Sequence, residues 1–211
     1  MNIKDKYPFL SASNFIAIEG NIGAGKSSLS TKLSLDFDKE LLLEDFASKT
    51  FLSEFYSNPE RFAFPLELSF IADRYMQLKD IDIQNKKYVA DYHFLKNIVF
   101  ASVNLQNEEL GMYHQLYLQM DSLLPKPELV VFLNCGIEKL QSQIKLRARA
   151  MENNIESNYL LSINDSYKKN INDQSDIHSL FINTDTLDFI NNDDDYNFII
   201  HKMNDFLGKK K

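Results

Sequence analysis

The sequence predicts a three-layer α/β domain built on a five-stranded parallel sheet. Short apolar runs rich in β-forming residues alternate with longer segments of helical spacing, and no linker-like break separates them. Strands that alternate with helices are typical of a parallel sheet covered on both faces. The composition supports a buried core, because 44% of the 211 residues are hydrophobic and 16 of them are Phe. We therefore expect a single domain over residues 1–211.

The first strand and the first long helix frame a glycine-rich loop. Residues 1–13 are polar and are expected to form an N-terminal arm. Phe15–Glu19 is a compact apolar run that predicts a strand, which Gly20 ends. Ser27–Leu35 then resumes with leucines at helical spacing. Strand, loop and helix in this order predict the opening unit of a parallel sheet.

The rest of the chain predicts four more strands and the helices between them. The strands are expected at Lys39–Leu43, Lys87–Asp91, Leu129–Asn134 and Ser179–Asn183. Asn58 is a favourable N-cap and Pro59 a favourable first residue for a helix. Pro65 is expected to break or kink that helix before it resumes and runs to about Asp80. The later helices are expected at Phe94–Leu124, Ile137–Ala150, Ser157–Asn172 and Asp195–Leu207.

Composition also excludes several classes of protein. A single cysteine, Cys135, leaves no partner for an intramolecular disulfide. No apolar run approaches the roughly 18 residues that span a membrane, and Met1–Asn14 lacks the apolar stretch of a signal peptide. We therefore expect a cytoplasmic protein without a membrane partner. The net charge of −7 argues against a nucleic-acid partner, because duplex binders present a basic face.

The glycine-rich loop has the pattern of a phosphate-binding loop. Gly20–Ser27 (GNIGAGKS) matches G-x-x-x-x-G-K-S/T at every fixed position. Its glycines allow successive N–H groups to point at phosphate oxygens, and the following helix adds its positive end. Lys26 would neutralise the outer phosphates of ATP, and the Ser27 hydroxyl would bind Mg²⁺. The expected ATP-binding residues of this loop are Gly20, Asn21, Ile22, Gly23, Ala24, Gly25, Lys26, Ser27 and Ser28.

Other motifs narrow the class of phosphate-loop protein. A GTPase needs a guanine-reading Asn-Lys-x-Asp, and Asn85-Lys86-Lys87-Tyr88 lacks the aspartate. A helicase or motor would be longer and would carry a catalytic glutamate beside its strand-end aspartate, whereas Asp91 precedes Tyr92. The class that remains after these exclusions is a small phosphotransferase.

Beyond the phosphate loop, spaced motifs continue through most of the chain. They are Glu19–Ser27, Glu44 at a strand end, Tyr56–Arg61, Phe64–Glu67, Asp73–Tyr75, Asp91–His93, and Leu146–Arg149 with Glu152. In this order they resemble the deoxynucleoside kinases, and in particular the short bacterial deoxyadenosine/deoxyguanosine kinases. The resemblance implies a P-loop kinase fold with an arginine-rich lid over residues 145–156 and a homodimer. It implies ATP, Mg²⁺ and phosphorylation of the 5′-hydroxyl of a purine 2′-deoxynucleoside.

The resemblance assigns two catalytic carboxylates to strand ends. Glu44 matches the family's glutamate, which accepts the proton of the weakly nucleophilic 5′-hydroxyl. Asp91 matches an acid near the metal, and it either supports Mg²⁺ or shares the base role with Glu44. The family has an arginine where this chain has Tyr92, so the positive charge beside the 5′-oxygen is expected from Arg74, Lys96 or a lid arginine. The residues expected to contact the substrate therefore include Tyr92, Arg74 and Lys96.

The lid is expected to act on both substrates. Arg147 and Arg149 would stabilise charge on the transferred phosphoryl group, although a solvated helix face that includes Lys145 is the alternative. By the same resemblance, Glu152 and Tyr56 would meet the 3′-hydroxyl of the deoxyribose from opposite sides.

Glu67 is the residue expected to read the base, since many relatives have glutamine there. An ionised carboxylate accepts only, which suits the N1–H and N2–H₂ edge of guanine, whereas adenine would require a protonated or turned carboxyl. Pro65 predicts a nearby helix N-terminus, which favours the ionised form. Residue chemistry thus favours deoxyguanosine, while the resemblance favours deoxyadenosine. Stacking on the base is expected from one or more of Phe62, Phe64, Phe70 and Phe94.

The remaining expectations concern the adenine of ATP, the dimer and two rival functions. Asp188 and Phe189 resemble a loop that cups the adenine. The segment that contains Met112 and Leu123 would form either the dimer interface or ordinary core. One rival function is a nucleoside monophosphate kinase of thymidylate-kinase type, which needs cations rather than Glu44 opposite Lys26. The other rival is a nucleotide-binding regulator without turnover.

Overall fold

A five-stranded sheet forms the centre of the molecule. The computed structural model describes residues 2–45, 51–149, 152, 155–172 and 178–209. Its strands are β1 (Phe15–Gly20), β2 (Glu40–Leu42), β3 (Tyr88–Ala90), β4 (Leu129–Asn134) and β5 (Ser179–Asn183). They pair in the order β2-β3-β1-β4-β5, and every pair is parallel. The predicted parallel sheet is confirmed.

Helices cover both faces of the sheet. In chain order they are α1 (Ile3–Lys6), α2 (Pro8–Ala12), α3 (Lys26–Phe37), α4 (Leu52–Ser57), α5 (Pro59–Lys79), α6 (Lys96–Asn104), α7 (Asn107–Asp121), α8 (Ile137–Arg147), α9 (Ser157–Asn172) and α10 (Asp193–Gly208). Strand side chains alternate between two cores, since Phe15 and Ala17 belong to one apolar cluster and Ile16 and Ile18 to the other. Both clusters bury large side chains, so the three-layer prediction is also confirmed.

Helix α5 is continuous through Pro65, and the predicted break is wrong. Asn58 caps the helix by accepting from the Arg61 N–H, as its sequence position indicates. Pro65 removes one intrahelical donor. Ala63 and Leu66 are buried on either side of the proline, and their packing holds the helix together across the missing bond.

The expected helix Phe94–Leu124 is two helices. Leu105 and Gln106 adopt extended backbone between α6 and α7, and Asn107 follows with a positive φ of 49°. Asparagine tolerates this left-handed conformation better than most residues. Leu105 is buried, so the break inserts an apolar side chain into the core.

The N-terminal arm is folded rather than a simple polar extension. Tyr7 and Leu10 are buried, and Oδ1 of Asn204 on α10 accepts from the backbone N–H groups of Phe9 and Leu10 at 3.0 and 3.2 Å. The polar composition of residues 1–13 concealed the apolar positions that anchor this arm. None of the helices within the described ranges is both long and apolar enough to cross a membrane.

Candidate active site

The candidate site is a cavity of about 370 Å³ at the carboxyl ends of the central strands. In open parallel sheets, ligands bind outside these strand ends. The cavity joins the phosphate loop, the segments after β2 and β3, and the predicted lid. The predicted site residues that line it are Ile22, Gly23, Gly25, Lys26, Ser27, Ser28, Tyr56, Glu67, Arg74, Asp91, Lys96, Arg147, Arg149 and Glu152.

The phosphate loop keeps its shape through close backbone packing. Gly25 has a φ of 90°, and a Cβ added there would lie 2.7 Å from Cζ of Phe189. Only glycine therefore fits this position. Nζ of Lys26 donates to the carbonyl oxygens of Gly20 and Asn21 at 2.9 and 2.8 Å. Burial and, to a smaller extent, the charge of Lys96 lower the pKa of Lys26 to about 8.

The three predicted loop residues that do not line the cavity are Gly20, Asn21 and Ala24. Asn21 is a structural anchor in this fold. Its amide nitrogen donates to the carbonyl oxygen of Leu160 at 2.8 Å and to Oδ1 of Asn164 at 2.7 Å. Its Oδ1 accepts from the Ile22 N–H at 2.8 Å. Asn21 therefore ties the phosphate loop to α9.

A chain of hydrogen bonds connects the phosphate loop to the acid after β2. Oγ of Ser27 donates to Oδ2 of Asp91, and Oδ1 of Asp91 accepts from the backbone N–H of Glu44 at 2.8 Å. Ser27 and Asp91 thus present a hydroxyl and a carboxylate together, which are the oxygen ligands that Mg²⁺ prefers. Within the described ranges, no group of three or more His, Cys, Asp and Glu side chains could hold a metal ion. A magnesium site here would therefore be completed by phosphate oxygens and water.

Glu44 is held between two cations that line the cavity. Its Oε1 accepts from Nε of Arg74 at 2.8 Å and also from Nη2, while its Oε2 accepts from Nζ of Lys96 at 2.5 Å. Glu44 itself is not among the lining residues: its side chain is only 3% exposed and lies behind these two partners, which do line the cavity. Burial acts to raise the pKa of Glu44, but the charges of Arg74 and Lys96 outweigh it and lower the pKa to about 2.

Glu67 lies inside α5 and not at a helix N-terminus, because the helix begins at Pro59. The argument that Pro65 favours the ionised form is therefore wrong. Oε1 of Glu67 accepts from Nδ2 of Asn104 at 2.7 Å, and Oε2 is buried without a hydrogen-bond partner in the described part of the chain. Burial raises the pKa of Glu67 to about 7, although Asn104 and Arg74 act to lower it.

The lid arginines converge on one acid. Arg147 and Arg149 both pair with the carboxylate of Glu152, with an N–O distance of 3.3 Å for Arg149. Tyr56 also lines the cavity, and its pKa is raised to about 12 by burial and by the negative charge of Glu152. The two residues expected to meet the 3′-hydroxyl are therefore close in space. Residues 150–151 and 153–154 of the predicted lid lie outside the described residues.

Tyr92 is the predicted substrate contact that the structure does not support. Its side chain is fully buried, it does not line the cavity, and its hydroxyl donates to Oε1 of Gln77 on α5. Because successive residues after a strand alternate in direction, Asp91 faces the site while Tyr92 enters the core. The cations that line the cavity near Glu44 are Arg74 and Lys96.

In the loop after β5, the residue that lines the cavity is one position later in the sequence than expected. Phe189 is buried against Gly25, and Asp188 is exposed and accepts from the side chain of Asn191. Ile190 is the residue of this loop that lines the cavity. Phe70 is the one lining residue among the four predicted stacking candidates, and Phe94 instead stacks on Tyr117 with ring centroids 5.5 Å apart.

Sequence reasoning missed several apolar and polar residues of the cavity wall. They include Leu52, Phe55, Leu66, Phe100, Asn104, Gln143, Leu146 and Tyr159. Phe100 and Asn104 lie on α6 one turn and two turns after Lys96, so helical spacing from Lys96 was the signal that could have found them. Tyr159 lies on α9, and nothing local in its sequence marks it.

Known proteins resemble this chain over nearly its whole length. The deoxynucleoside kinase family model matches residues 16–208. The deoxyguanosine kinase of Bacillus subtilis (strain 168) is 31% identical over 206 residues, covering 94% of this chain and 100% of the relative. A deoxyadenosine/deoxycytidine kinase of the same organism is 23% identical over 90% of this chain and 92% of the relative.

The fold is also shared with solved structures. The deoxyadenosine kinase from M. mycoides with bound dATP matches with a TM-score of 0.78 at 23% identity, over 90% of this chain and 99% of that one. That likeness concerns the fold. Because the family model covers nearly all of the sequence, the chain belongs to the deoxynucleoside kinase family and is a kinase that phosphorylates deoxynucleosides.

Proposed function

We propose that this chain transfers the γ-phosphoryl group of ATP to the 5′-hydroxyl of a purine 2′-deoxynucleoside. Membership of a kinase family supports ATP as the phosphate donor. The full-length relative at 31% identity is a deoxyguanosine kinase, which supports a purine acceptor. The observation that carries the proposal is the hydrogen-bonded chain from Ser27 through Asp91 to Glu44. It joins the phosphate end of the cavity to an acid that can orient an alcohol.

In this proposal the triphosphate occupies the N–H groups of the phosphate loop, with Lys26 on its outer phosphates. Ser27 and Asp91 would hold Mg²⁺, which when bound neutralises charge on the phosphates. The arginines of the lid would turn from Glu152 towards the phosphoryl oxygens, where positive charge stabilises the transition state.

The proposed step forms a bond between the 5′-oxygen and the γ-phosphorus and breaks the bond from that phosphorus to the β,γ-bridging oxygen, so that ADP leaves. The hydroxyl proton goes to Glu44 or Asp91. A carboxylate with a pKa of about 2 is a weak base towards a free alcohol. It accepts a hydrogen bond from the alcohol first and takes the proton as the oxygen gains positive character.

The nucleoside would lie along the rest of the cavity. Tyr56 and Glu152 would bind the 3′-hydroxyl. Phe70 and Phe100 would pack on the faces of the base, because aromatic rings stack favourably on one another. Glu67 would meet the hydrogen-bonding edge of the base. The proposal also includes a homodimer, for which the exposed apolar side chains of Met112, Leu118 and Leu123 supply a surface.

The test is an acceptor panel with ATP and Mg²⁺. We expect ADP formation with deoxyadenosine, deoxyguanosine or both, slower turnover with deoxycytidine, and none with dTMP or dAMP. Lys26→Ala is the control, because it should abolish turnover with every acceptor. Turnover of the monophosphates alone would favour the thymidylate-kinase type. ATP binding without acceptor-dependent ADP formation would favour a regulator, and either result contradicts the proposal.

A further inference from the structure

Glu67 places a buried carboxyl group beside apolar side chains of the cavity wall. It is 2% exposed, and its neighbours on the wall include Leu66, Phe70 and Phe100. Oε1 accepts one hydrogen bond from Asn104, while Oε2 is buried and unpartnered within the described residues. A buried carboxyl oxygen without a partner is costly, so a ligand that pairs with it is stabilised. This geometry marks an open hydrogen-bonding position on the cavity wall beside apolar and aromatic side chains.

The charged groups around Glu67 shift its pKa in opposing directions. Those that act on it are Arg74 on α5, Glu44 after β2 and Lys96 on α6. The titratable but neutral groups that face it are Tyr113 on α7 and Tyr159 on α9. The two cations are already engaged by Glu44. Burial is the largest influence and raises the pKa of Glu67 to about 7, so both forms are populated near neutral pH.

The two forms have different hydrogen-bonding capacities. A protonated carboxyl donates once and accepts once, which matches the N1 acceptor and N6–H₂ donor of adenine. An ionised carboxylate accepts only: it can accept from the N6–H₂ group of adenine, but it sets its negative charge against the N1 lone pair. Guanine presents two adjacent donors, N1–H and N2–H₂, and pairs with the ionised form, while its O6 and N1–H also pair with the protonated one.

We propose that deoxyadenosine is accepted only when Glu67 carries a proton, whereas deoxyguanosine is accepted with or without it, so that substrate choice moves towards guanine as the pH rises. This inference rests on the proposed function, which already puts Glu67 on the base, and adds that the proton on Glu67 selects between the two purines. Glu67 is placed on the base, away from the phosphoryl transfer.

The experiment measures the ratio of kcat/KM for deoxyguanosine to kcat/KM for deoxyadenosine from about pH 6 to about pH 8.5, a range that brackets the titration of Glu67. Effects of pH on ATP binding and on Glu44 are common to both substrates and cancel in the ratio. We expect the ratio to rise with pH and to approach a tenfold increase per unit above pH 7, because the protonated fraction falls tenfold per unit there.

Glu67→Gln is the matched variant, since the amide donates and accepts without titrating. Its ratio should be independent of pH and close to the low-pH ratio of the unmodified chain. Asn104→Ala is the second variant. It removes the donor that stabilises the ionised form, so the rise should keep its steepness but begin at higher pH. Glu60→Gln, exposed in the first turn of the same helix, should leave the pH dependence unchanged.

A ratio that stays constant with pH in the unmodified chain would overturn the inference, and so would an equal rise in Glu67→Gln. The measurement on the unmodified chain decides the matter even if a variant folds poorly. Failure of the proposed function is a separate result, because then neither purine deoxynucleoside would be phosphorylated at any pH.

Discussion

One buried glutamate lies beside the proposed reacting end of the cavity and another at the proposed base end, and their pKa values are shifted in opposite directions. Glu44 has a pKa lowered to about 2, and Glu67 has one raised to about 7. Both lose hydration on burial, which raises the pKa of a carboxyl. The difference is that Arg74 and Lys96 each bind Glu44 directly, while Glu67 receives one neutral donor, Asn104. Charge contacts therefore decide the state of each acid.

The two pKa shifts suit two different tasks, phosphoryl transfer near Glu44 and recognition of the base at Glu67. At the reacting end, an acid that is ionised over the whole working range can orient the alcohol at any pH. At the base end, an acid that titrates near neutrality can change which edge of a base it matches. In the proposed function, one residue type thus performs two tasks because its ionic partners differ.

The largest effect is expected from removing the charge at the reacting end. Glu44→Gln should retain ATP binding and lower kcat by about 10²- to 10⁴-fold, since the amide cannot accept the hydroxyl proton. Steady-state kinetics together with an ATP-binding measurement check this outcome. Glu40→Gln is the matched control, because Glu40 lies on β2, just before the segment that contains Glu44, and is exposed. A near-normal kcat in Glu44→Gln would assign the proton to Asp91.

Stability should change in opposite directions for the two glutamates. The folded-state pKa of Glu44 is below its ordinary value of 4.5, so its stabilising contribution is present above that pH and is lost as the pH falls towards 2. At neutral pH, Glu44→Gln should therefore lower the free energy of unfolding by about 3 to 5 kcal/mol, because it leaves two buried cations without their partner.

The folded-state pKa of Glu67 is above its ordinary value, so the folded protein binds more protons than the unfolded chain between pH 4.5 and pH 7. Its contribution is favourable at low pH and is lost as the pH rises through that window. At pH 8, Glu67→Gln should raise the free energy of unfolding by up to about 3 kcal/mol, with little change at pH 5. Urea unfolding at both pH values measures this, and equal signs for the two glutamine variants at pH 8 would refute the contrast.

The smallest effect is expected from Tyr92, which belongs to neither end of the cavity. Tyr92→Phe removes a hydroxyl that donates to Gln77, so it should lower the free energy of unfolding by about 1 kcal/mol. Because the ring is buried in the core, kcat and KM for the nucleoside should stay within about twofold, the range of an unaltered contact. A rise of tenfold or more in KM would restore Tyr92 to the substrate site.

Local sequence was sufficient wherever one segment specifies its own geometry. The phosphate loop needs a glycine at position 25 because its φ is positive, and the strand runs needed apolar residues because both faces are covered. The start of α5 at Pro59 followed from the cap at Asn58. In each case the signal lies within one short segment of sequence, so a local pattern contains it.

Local rules were insufficient where packing from distant segments competes with them. Pro65 disfavours helix, yet buried neighbours on both sides keep α5 intact. Leu105 breaks a segment with good helical spacing because its side chain enters the core. The direction of Tyr92 follows from strand alternation, but the partner of its hydroxyl, Gln77 on α5, is set by tertiary packing.

The sequence alone determined the class of chemistry. The phosphate loop is a contiguous motif, and each predicted catalytic acid stands at the end of a short segment that predicts a strand. Tertiary structure decided the state of those acids. Arg74 and Lys96 approach Glu44 from helices 30 and 52 residues away, and Asn104 approaches Glu67 from 37 residues away. A pKa depends on burial and on the distance to other charges, and neither quantity exists until the chain is folded.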